Sequence, residues 1–203
     1  MAASNTPEPS RRSERSRVAI LTATHELITE VGYAKLSIEA IAARAGVGKQ
    51  TIYRWWPSKG AVVFDSLLSL SEGADGDLAL PDTGDLAADL RIVLRATVAE
   101  FADPVFEAPV RALNIEIIND PELAATYRER MERPIREAKL ARLRSGQDAG
   151  QLAADADLEL VLDLLYAPIT QRWLLRSGPL DEAFADGLVD AVLRAFAPGR
   201  VLR

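Results

Sequence analysis

The stretch of the chain that decides its fold runs from Leu36 to Ala61 and reads LSIEAIAARAGVGKQTIYRWWPSKGA. Its first half carries apolar residues at helical spacing. Ser37 precedes them, where a serine hydroxyl caps a helix by accepting a backbone N–H. Gly46 follows them, at the position where a left-handed C-terminal cap favours glycine. The pattern predicts a helix that begins after Ser37 and ends at Gly46.

A second and shorter helix is predicted from about Lys49 to Trp55, after a turn at Gly48. Ile52 and Trp56 are four residues apart, so both are expected to pack inward. A helix this short must be held by such packing. Two short helices joined by a glycine turn form a helix-turn-helix, a motif that places its second helix in the major groove of DNA. The outer faces of that helix are left to Lys49, Gln50, Thr51, Tyr53, Arg54 and Trp55.

The N-terminal end of this recognition helix carries three residues that we expect to contact base edges. Gln50 can pair with adenine through two hydrogen bonds, Lys49 can pair with guanine, and the methyl group of Thr51 can contact that of thymine. Arg54 is also expected to face outward, where it could join the base contacts or the phosphate contacts. The sequence therefore predicts a protein that binds double-stranded DNA and reads its bases.

Residues 31–59, which read VGYAKLSIEAIAARAGVGKQTIYRWWPSK, resemble the N-terminal domain of the TetR/AcrR transcriptional regulators. The resemblance covers roughly residues 12–65 and rests on Gly32 and on the Ala-Gly-Val, Ile-Tyr and Pro-Ser-Lys segments, which all fall at the family's spacing. The rest of the chain resembles the family only in its helical character and its length. The resemblance implies that four residues hold the phosphate backbone of DNA, namely Ser37, Tyr53, Trp55 and Lys59.

Two positions depart from the family's common pattern. Gly48 stands where Ser or Thr usually caps the recognition helix, so that cap must come from the backbone or from water. Gly60 stands where an acidic residue is common, which weakens the start of the next helix. Neither departure removes an expected contact with DNA.

The charge of the chain is unevenly distributed. The whole chain has a net charge of −6, yet residues 1–60 hold nine Lys and Arg against five Asp and Glu. A local basic patch attracts the phosphates of DNA, and the acidic remainder favours docking by one end only. Arg11, Arg12, Arg15 and Arg17 lead into the first helix, where they could follow phosphates or enter the minor groove.

Composition excludes several classes of protein. The chain has no cysteine, which excludes disulfides and thiolate metal sites. His25 is the only histidine, so a histidine metal cluster or a histidine-dependent catalytic triad is not expected. No apolar run approaches the length of a membrane helix, and the N-terminus has no apolar segment typical of a secretory signal. We therefore expect a cytoplasmic protein that is not an enzyme and that has no metal or cofactor.

Helical periodicity interrupted by Gly and Pro turns predicts an all-α fold of about nine helices. We expect an N-terminal arm and a three-helix helix-turn-helix domain over residues 1–60. A helical domain for ligand binding and dimerisation is expected over residues 61–203. Residues 1–10 are expected to be unstructured, and residues 71–85 to form a solvated loop.

The other expected boundaries follow from caps and prolines. Helix one ends at about Val31 with an apolar face that includes Val18, and Ser58 caps helix four, whose buried side holds Val62, Val63, Leu67 and Leu70. Helix five spans about 85–101, helix six about 107–118 with Pro109 in its first turn, and helix seven about 122–144 with a kink or split at Pro134. Helix eight spans about 157–175 with a kink at Pro168, and helix nine about 181–196.

In the family an effector cavity lies among helices four to seven, and the resemblance implies one here. Asn114 is the most informative candidate, because it is a polar residue among isoleucines and leucines. An apolar cavity with a few polar groups binds apolar or amphipathic small molecules, although residues of these types also suit a plain core. The candidate lining residues are Phe64, Leu67, Phe101, Phe106, Leu113, Asn114, Ile117, Tyr127, Met131 and Tyr166.

The last two helices carry broad apolar stripes and can pair through a short turn. The resemblance implies that they build a four-helix homodimer interface, and a two-fold dimer suits a palindromic operator. The same stripes could instead bury the core of one protomer. The candidate interface residues are Leu158, Leu162, Leu165, Ile169 and Trp173 on helix eight, and Phe184, Leu188, Val192 and Phe196 on helix nine.

The resemblance implies a repressor whose apo dimer holds two recognition helices about 34–36 Å apart, one turn of DNA. A small-molecule effector would then shift helix four and lower the affinity for the operator, and the operator would weaken the effector by the same factor. Repression is the commoner outcome in the family, and activation stays open. Two other classes also stay open: a DNA-binding module without an effector, and a helical enzyme or carrier of apolar ligands that does not bind DNA.

Overall fold

The computed structural model describes residues 8–72 and 80–199, apart from the side chains of residues 8–12, 70–72 and 105. These residues form helices and short turns, and no β-strand is found among them, which confirms the all-α fold class. The α-helices are α1 (Glu8–Val31), α2 (Ile38–Ala45), α3 (Lys49–Tyr53), α4 (Lys59–Glu72), α5 (Leu86–Ala102), α6 (Pro104–Asn119), α7 (Pro121–Tyr127), α8 (Arg133–Asp148), α9 (Leu158–Leu175) and α10 (Glu182–Ala195).

Two shorter helical segments complete the list for the described part of the chain. A 3-10 helix spans Tyr33–Lys35, and a π-helix spans Arg128–Glu132. The π-helix fills the sequence between α7 and α8, so that residues 121–148 are helical without interruption. If this run is counted once, the α-helical segments of the described residues number nine, as expected.

Prolines account for several helix boundaries. α6 begins at Pro104, whose missing N–H is no loss in a first turn. The expected start at about residue 107 was therefore wrong, and Pro109 lies inside the helix. Pro134 lies in the first turn of α8, directly after the π-helix. Because proline cannot donate to the carbonyl four residues earlier, the regular α-helix is split here, as predicted.

The first helix is longer than expected. α1 begins at Glu8, so residues 8–10 are helical although we expected them to be unstructured. Residues 1–7 of that expectation, and residues 73–79 of the expected loop, lie outside the described residues. α9 runs through Pro168 without interruption, and the kink expected there stays a prediction.

The chain divides into two compact units: residues 1–75 with residues 108–127, and residues 76–107 with residues 128–203. In the first unit, α1 packs against both α2 and α4. Ile20, Ile41 and Ile52 are fully buried in its core. Val18 was expected on the apolar face of α1, but it is exposed, because Ile20 holds the inward position.

The first unit extends beyond the domain boundary that we expected at residue 60. The hydroxyl of Ser58 accepts the backbone N–H of Ala61 at 3.2 Å, as expected for the cap of α4. Val62 and Val63 then continue the core formed by α1, α2 and α3. Leu67 is half-buried, and the side chain of Leu70 lies outside the described residues.

Gly60 explains how α7 joins this unit. A Cβ at Gly60 would lie 2.8 Å from Cδ2 of Leu123 and 3.2 Å from Cβ of Glu116. The absence of a side chain at residue 60 thus allows α4 to approach α6 and α7 closely. Gly60 departs from the family's pattern and weakens the start of α4, and it also makes this close packing possible.

The second unit is built from α5, α8, α9 and α10. Leu94, Leu165, Ile169 and Val189 are fully buried in its core. α5 and α10 are also joined by ion pairs on the surface, with 2.6 Å between Arg95 and Asp186 and 2.5 Å between Arg91 and Asp190.

A buried ion pair lies beside that core and was not anticipated from the sequence. Nη2 of Arg142 lies 2.7 Å from Oδ2 of Asp89, and Nε of Arg142 also donates to the carbonyl of Pro81 at 3.0 Å. Burial alone would raise the pKa of Asp89, but hydrogen bonds from Arg142 and Thr83 hold it below its ordinary value. The pair fixes the segment before α5 to α5 and α8.

No helix in the described residues is both long enough and apolar enough to span a lipid bilayer.

Candidate DNA-binding site

The turn between α2 and α3 is built by the backbone chemistry that the sequence predicts. The hydroxyl of Ser37 accepts the N–H of Ala40 at 3.1 Å, which confirms the cap of α2. Gly46 has φ 66° and ψ 33°, the left-handed conformation expected of it. Gly48 provides no side-chain cap, and its carbonyl accepts the N–H of Thr51 at 2.9 Å. These contacts set the direction in which α3 leaves the turn.

Two buried side chains hold α3 against the first unit. Ile52 has no exposed surface, and Trp56 is almost fully buried, which confirms that both pack inward. Nε1 of Trp56 donates to the carboxylate of Asp65 on α4 at 2.9 Å. The α-helix ends at Tyr53, two residues earlier than expected, and Arg54 forms its C-terminal cap. The recognition helix is therefore short and fixed from one side.

The opposite side of α3 faces solvent. Tyr53 is 55% exposed and Trp55 is 39% exposed, values that are high for aromatic residues in a folded unit. The guanidinium of Arg54 lies 5.9 Å from the ring centroid of Trp55, within range of a cation–π contact. Lys49 and Gln50 are exposed as well, whereas Thr51 is half-buried. The structure thus brings the six predicted outward residues to one end of the first unit.

Lys49 forms an ion pair that the sequence did not reveal. Its ammonium lies 2.6 Å from a carboxylate oxygen of Glu39 on α2, and both side chains are exposed. The hydrogen bond from Lys49 lowers the pKa of Glu39. Exposed pairs of this kind contribute only about 0.2–1 kcal/mol, so the ammonium can exchange its partner at little cost.

Lys59 and Ser37 are already engaged inside the first unit. The ammonium of Lys59 donates to the carbonyls of Tyr33 and Leu36, each at 3.3 Å. It also lies 3.8 Å from the ring centroid of Tyr33. The hydroxyl of Ser37 is the cap of α2. Each group therefore has a structural role, beside which a phosphate contact stays a prediction.

Some of the positive charge of the first unit is neutralised within it. Arg44 bridges α2 to α1 through ion pairs with Glu30 at 2.8 Å and Glu26 at 3.2 Å. Arg17 pairs with Glu14 at 3.0 Å, whereas Arg15 is exposed. The side chains of residues 11–12 lie outside the described residues. Arg44 thus acts mainly as a clamp between α1 and α2.

The ten candidates for an effector cavity divide between the two units. In the first unit, the rings of Phe64 and Tyr127 lie 5.7 Å apart. The amide of Asn114 donates to the carbonyl of Val110 at 2.9 Å, within its own helix. The first unit holds Phe64, Leu67, Leu113, Asn114, Ile117 and Tyr127, and the second holds Phe101, Phe106, Met131 and Tyr166.

The second unit places a lysine next to one of these candidates. Nζ of Lys139 on α8 lies 3.3 Å from the ring centroid of Tyr166 on α9. Burial lowers the pKa of Lys139 to about 8, Arg136 acts in the same direction, and Glu100 opposes them. Burial also raises the pKa of Tyr166. Lys139 was not predicted from the sequence, because no local pattern in α8 shows which residue of another helix its side chain contacts.

The proposed dimer stripes need a correction. Leu162, Leu165, Ile169 and Trp173 on α9, and Val192 and Phe196 on α10, are buried within one protomer, while Leu158, Phe184 and Leu188 are half-buried. α9 is apolar on two sides, and the stripe that we chose is the side that packs into the core shared with α5, α8 and α10. The exposed apolar residues of α9 are Leu160, Leu164 and Leu175.

Among the described residues, no three His, Asp or Glu side chains come together in a way that could hold a metal ion.

Comparison with known proteins assigns the class of this chain. Residues 20–65 match the model of the bacterial regulatory proteins of the tetR family, and residues 80–192 match the model of the tetracyclin repressor-like C-terminal domain. These two matches span the helix-turn-helix and most of the second unit. The chain therefore belongs to the TetR family of DNA-binding transcriptional regulators.

Individual relatives agree with the family models over most of the chain. The HTH-type transcriptional regulator YdeS of Bacillus subtilis is 36% identical over 179 residues, which cover 88% of each chain. The DNA-binding transcriptional repressor TetR of Mycobacteroides abscessus is 30% identical and covers 90% of this chain and 94% of its own. The crystal structure of the TetR family regulator SCO0332 superposes with a TM-score of 0.72 at 34% identity, covering 91% of this chain and all of its own.

Proposed function

We propose that this chain is a repressor that binds a palindromic operator as a homodimer and is released by a small-molecule effector. The observation that carries the proposal is the outward side of α3 and of the turn after it, where two aromatic and three polar side chains are exposed while Ile52 anchors the helix from behind. A helix fixed in this way presents its side chains to a groove without reorganisation. The relative from Mycobacteroides abscessus is itself named a repressor.

The proposed contacts with DNA divide by chemistry. Lys49, Gln50 and Thr51 occupy the first turn of α3 and read base edges, with Lys49 exchanging Glu39 for a guanine. A second set of residues holds the DNA phosphates by hydrogen bonds and charge, and these contacts carry no base preference. That set comprises Ser37, Tyr53, Trp55 and Lys59, and Arg54 joins either group.

The proposed dimer uses the exposed side of α9. Leu160 and Leu164 are four residues apart and lie on one face of the helix, and both are exposed in a single protomer. A two-fold axis through such a face would bury them, and the proposed operator requires a dimer whose two α3 helices lie about 34–36 Å apart, in successive major grooves. The half-buried Phe184 and Leu188 of α10 would lie at the edge of this face.

The proposed effector is a small molecule that binds among the candidate residues and lowers operator affinity by favouring a different spacing of the two α3 helices. Only a ligand that binds the two states with different affinity can shift them. We further propose that the protein acts in the cytoplasm and has no catalytic activity of its own.

Selection of binding sites from random duplex DNA at moderate salt tests the core of this proposal. We expect an enriched palindrome whose half-sites lie one helical turn apart. A reporter gene placed behind that sequence should then be silenced when the protein is expressed. Failure of a folded protein to enrich any sequence contradicts operator binding, and a raised reporter signal contradicts repression.

A further inference from the structure

Lys139 and Tyr166 form a polar pair at the apolar core of the second unit. Lys139 lies on α8 and Tyr166 on α9, and both side chains are partly buried. The ammonium rests 3.3 Å from the centre of the tyrosine ring, and Tyr166 also packs against the buried core cluster. In the described part of the chain, no carboxylate forms an ion pair with Lys139.

One polar group of this pair is a buried donor that lacks an acceptor in the described part of the chain. The hydroxyl of Tyr166 is buried and has no hydrogen-bond partner among the described residues. The lysine ammonium has three N–H donors and no acceptor of its own. A buried donor without a partner destabilises a folded protein, and a carboxylate oxygen near both groups would accept from the Tyr166 hydroxyl and pair with the ammonium.

Arg142, another cation of α8, is a useful comparison for Lys139 because its role is structural. Arg142 is more deeply buried than Lys139, and it is paired with Asp89 at 2.7 Å. The fold therefore supplies a carboxylate where a cation of α8 serves only stability. Glu100 is the acidic residue that most affects Lys139, but it is exposed and forms no ion pair with Lys139 in the described residues.

Aromatic rings lie at the C-terminal end of α5, where Glu100 is also found. Phe101, which follows Glu100, stacks on Trp173 of α9 with 4.6 Å between the ring centroids and 15° between the planes. Phe106 also stacks on Phe101, with 6.2 Å between the ring centroids, and is 36% exposed. The row of rings leads from the buried core to the surface, an arrangement that suits a flat ligand.

We propose that the second unit binds a small aromatic carboxylate, whose oxygens accept hydrogen bonds from Nζ of Lys139 and the hydroxyl of Tyr166 and whose ring packs along the Phe101–Trp173 row. The ammonium lies over the ring that carries the hydroxyl, so one carboxylate can contact both donors. This inference rests on the proposed effector function and names the chemical class of the effector.

The test uses the full-length protein and pairs of probes that differ only in charge. Benzoate, cinnamate and 2-naphthoate are each compared with the corresponding neutral carboxamide, first by thermal shift and then by calorimetry. We expect carboxylates to raise Tm and the matching amides to have no effect. The proposal is overturned if amides and carboxylates bind alike, or if no carboxylate of the set raises Tm.

Three variants assign the binding to the proposed donors. Lys139→Met should weaken the carboxylate by about tenfold or more, because a charge-assisted hydrogen bond is lost, and Tyr166→Phe should weaken it by a smaller factor. Arg144→Met removes one positive charge from an exposed position of the same helix and should leave binding unchanged. Equal weakening by Lys139→Met and Arg144→Met would mean that only net charge matters, which contradicts a specific site.

A separate measurement distinguishes this inference from the proposed function. Fluorescence anisotropy with the selected operator reports whether a probe releases DNA. If a carboxylate binds through Lys139 but leaves the operator bound, the site stands and effector-controlled release is wrong. If a neutral amide releases the operator, release stands and the proposed anionic class is wrong.

Discussion

The two units of the molecule place their polar chemistry in opposite ways. In the first unit the core near α3 is formed by residues such as Ile41 and Ile52, and Tyr53, Arg54 and Trp55 face water. In the second unit an ion pair is buried and a lysine–tyrosine pair is partly buried. A surface that meets DNA needs its donors outside, where exchange of partners costs little.

The largest expected effect concerns the buried pair of the second unit. Arg142→Ala leaves a buried carboxylate without its cation, and should lower the free energy of unfolding by about 3–5 kcal/mol. Chemical denaturation monitored by circular dichroism measures this. The matched control is Arg44→Ala in the first unit, whose exposed pairs contribute about 0.2–1 kcal/mol each. Similar losses in the two variants would contradict the contrast between the units.

The second expected effect separates stability from DNA binding within α3. Ile52→Ala removes a fully buried side chain and should cost about 2–5 kcal/mol of stability. Tyr53→Ala, one residue later, changes an exposed ring and should leave thermal stability nearly unchanged while weakening operator binding. Fluorescence anisotropy with the selected operator, measured across a salt titration, reports the second effect. If Tyr53→Ala binds the operator with unchanged affinity, Tyr53 is not one of the proposed contacts.

The third expected effect is on sequence preference. Gln50→Ala should cost about 1–3 kcal/mol at one base position of each half-site, because a bidentate contact to adenine is lost. Binding to single-base variants of the operator shows which position loses its preference. If every variant is weakened equally, Gln50 contacts phosphate and not a base.

The accuracy of the sequence predictions depends on how local the deciding contacts are. The caps at Ser37 and Gly46 and the inward pair Ile52 and Trp56 are set by neighbours within a few residues, and the structure confirms them. The contact between Lys139 and Tyr166 joins two helices. No local pattern contains it, because it depends on how α8 and α9 are rotated against each other.

The dimer stripe shows a different limit. α9 carries leucines on both its buried and its exposed sides, so spacing alone cannot tell which stripe packs within the protomer. Six of the nine residues that we chose are buried in the core, and Leu160 and Leu164 remain exposed for a partner. The effector candidates likewise could be listed by residue type, but not assigned to units, until the division at residues 107–108 and 127–128 was known.

The fourth expected effect is a dependence of stability on pH. The pKa of Lys139 is lowered to about 8 in the folded chain from 10.5, so its charged form opposes folding. This penalty is complete below pH 8 and disappears as the pH rises towards 10.5. Lys139→Met should therefore be more stable than the unmodified chain at pH 7, by on the order of 1 kcal/mol after solvent screening.

Thermal unfolding at pH 7 and at pH 10 measures this difference. The advantage of Lys139→Met should shrink at the higher pH, where the amine of the unmodified chain is neutral in the folded state. An advantage that is the same at both values would show that the gain comes from packing and not from charge. Arg136, which also lowers the pKa of Lys139, keeps its charge across this range.

The smallest expected effect tests the exchange of partners at the DNA surface. Glu39→Gln removes the carboxylate that pairs with Lys49 and also a negative charge near the phosphates. Operator affinity should rise slightly, by about 0.2–1 kcal/mol, and the gain should fall with added salt. Competition binding at two salt concentrations measures this change in operator affinity. A loss of affinity would mean that Glu39 orients Lys49 in the complex.

The three tryptophans of the chain can serve as intrinsic fluorescent probes. Trp55 is exposed on the outward side of α3, Trp56 is buried behind it, and Trp173 is stacked on Phe101 in the second unit. Emission from Trp55 should lie at long wavelength and shift when DNA excludes water, whereas Trp173 should report events in the second unit. In variants that keep one tryptophan and replace the other two with Phe, fluorescence would report DNA binding at Trp55 or events in the second unit at Trp173 separately. Both processes could then be timed without an added label.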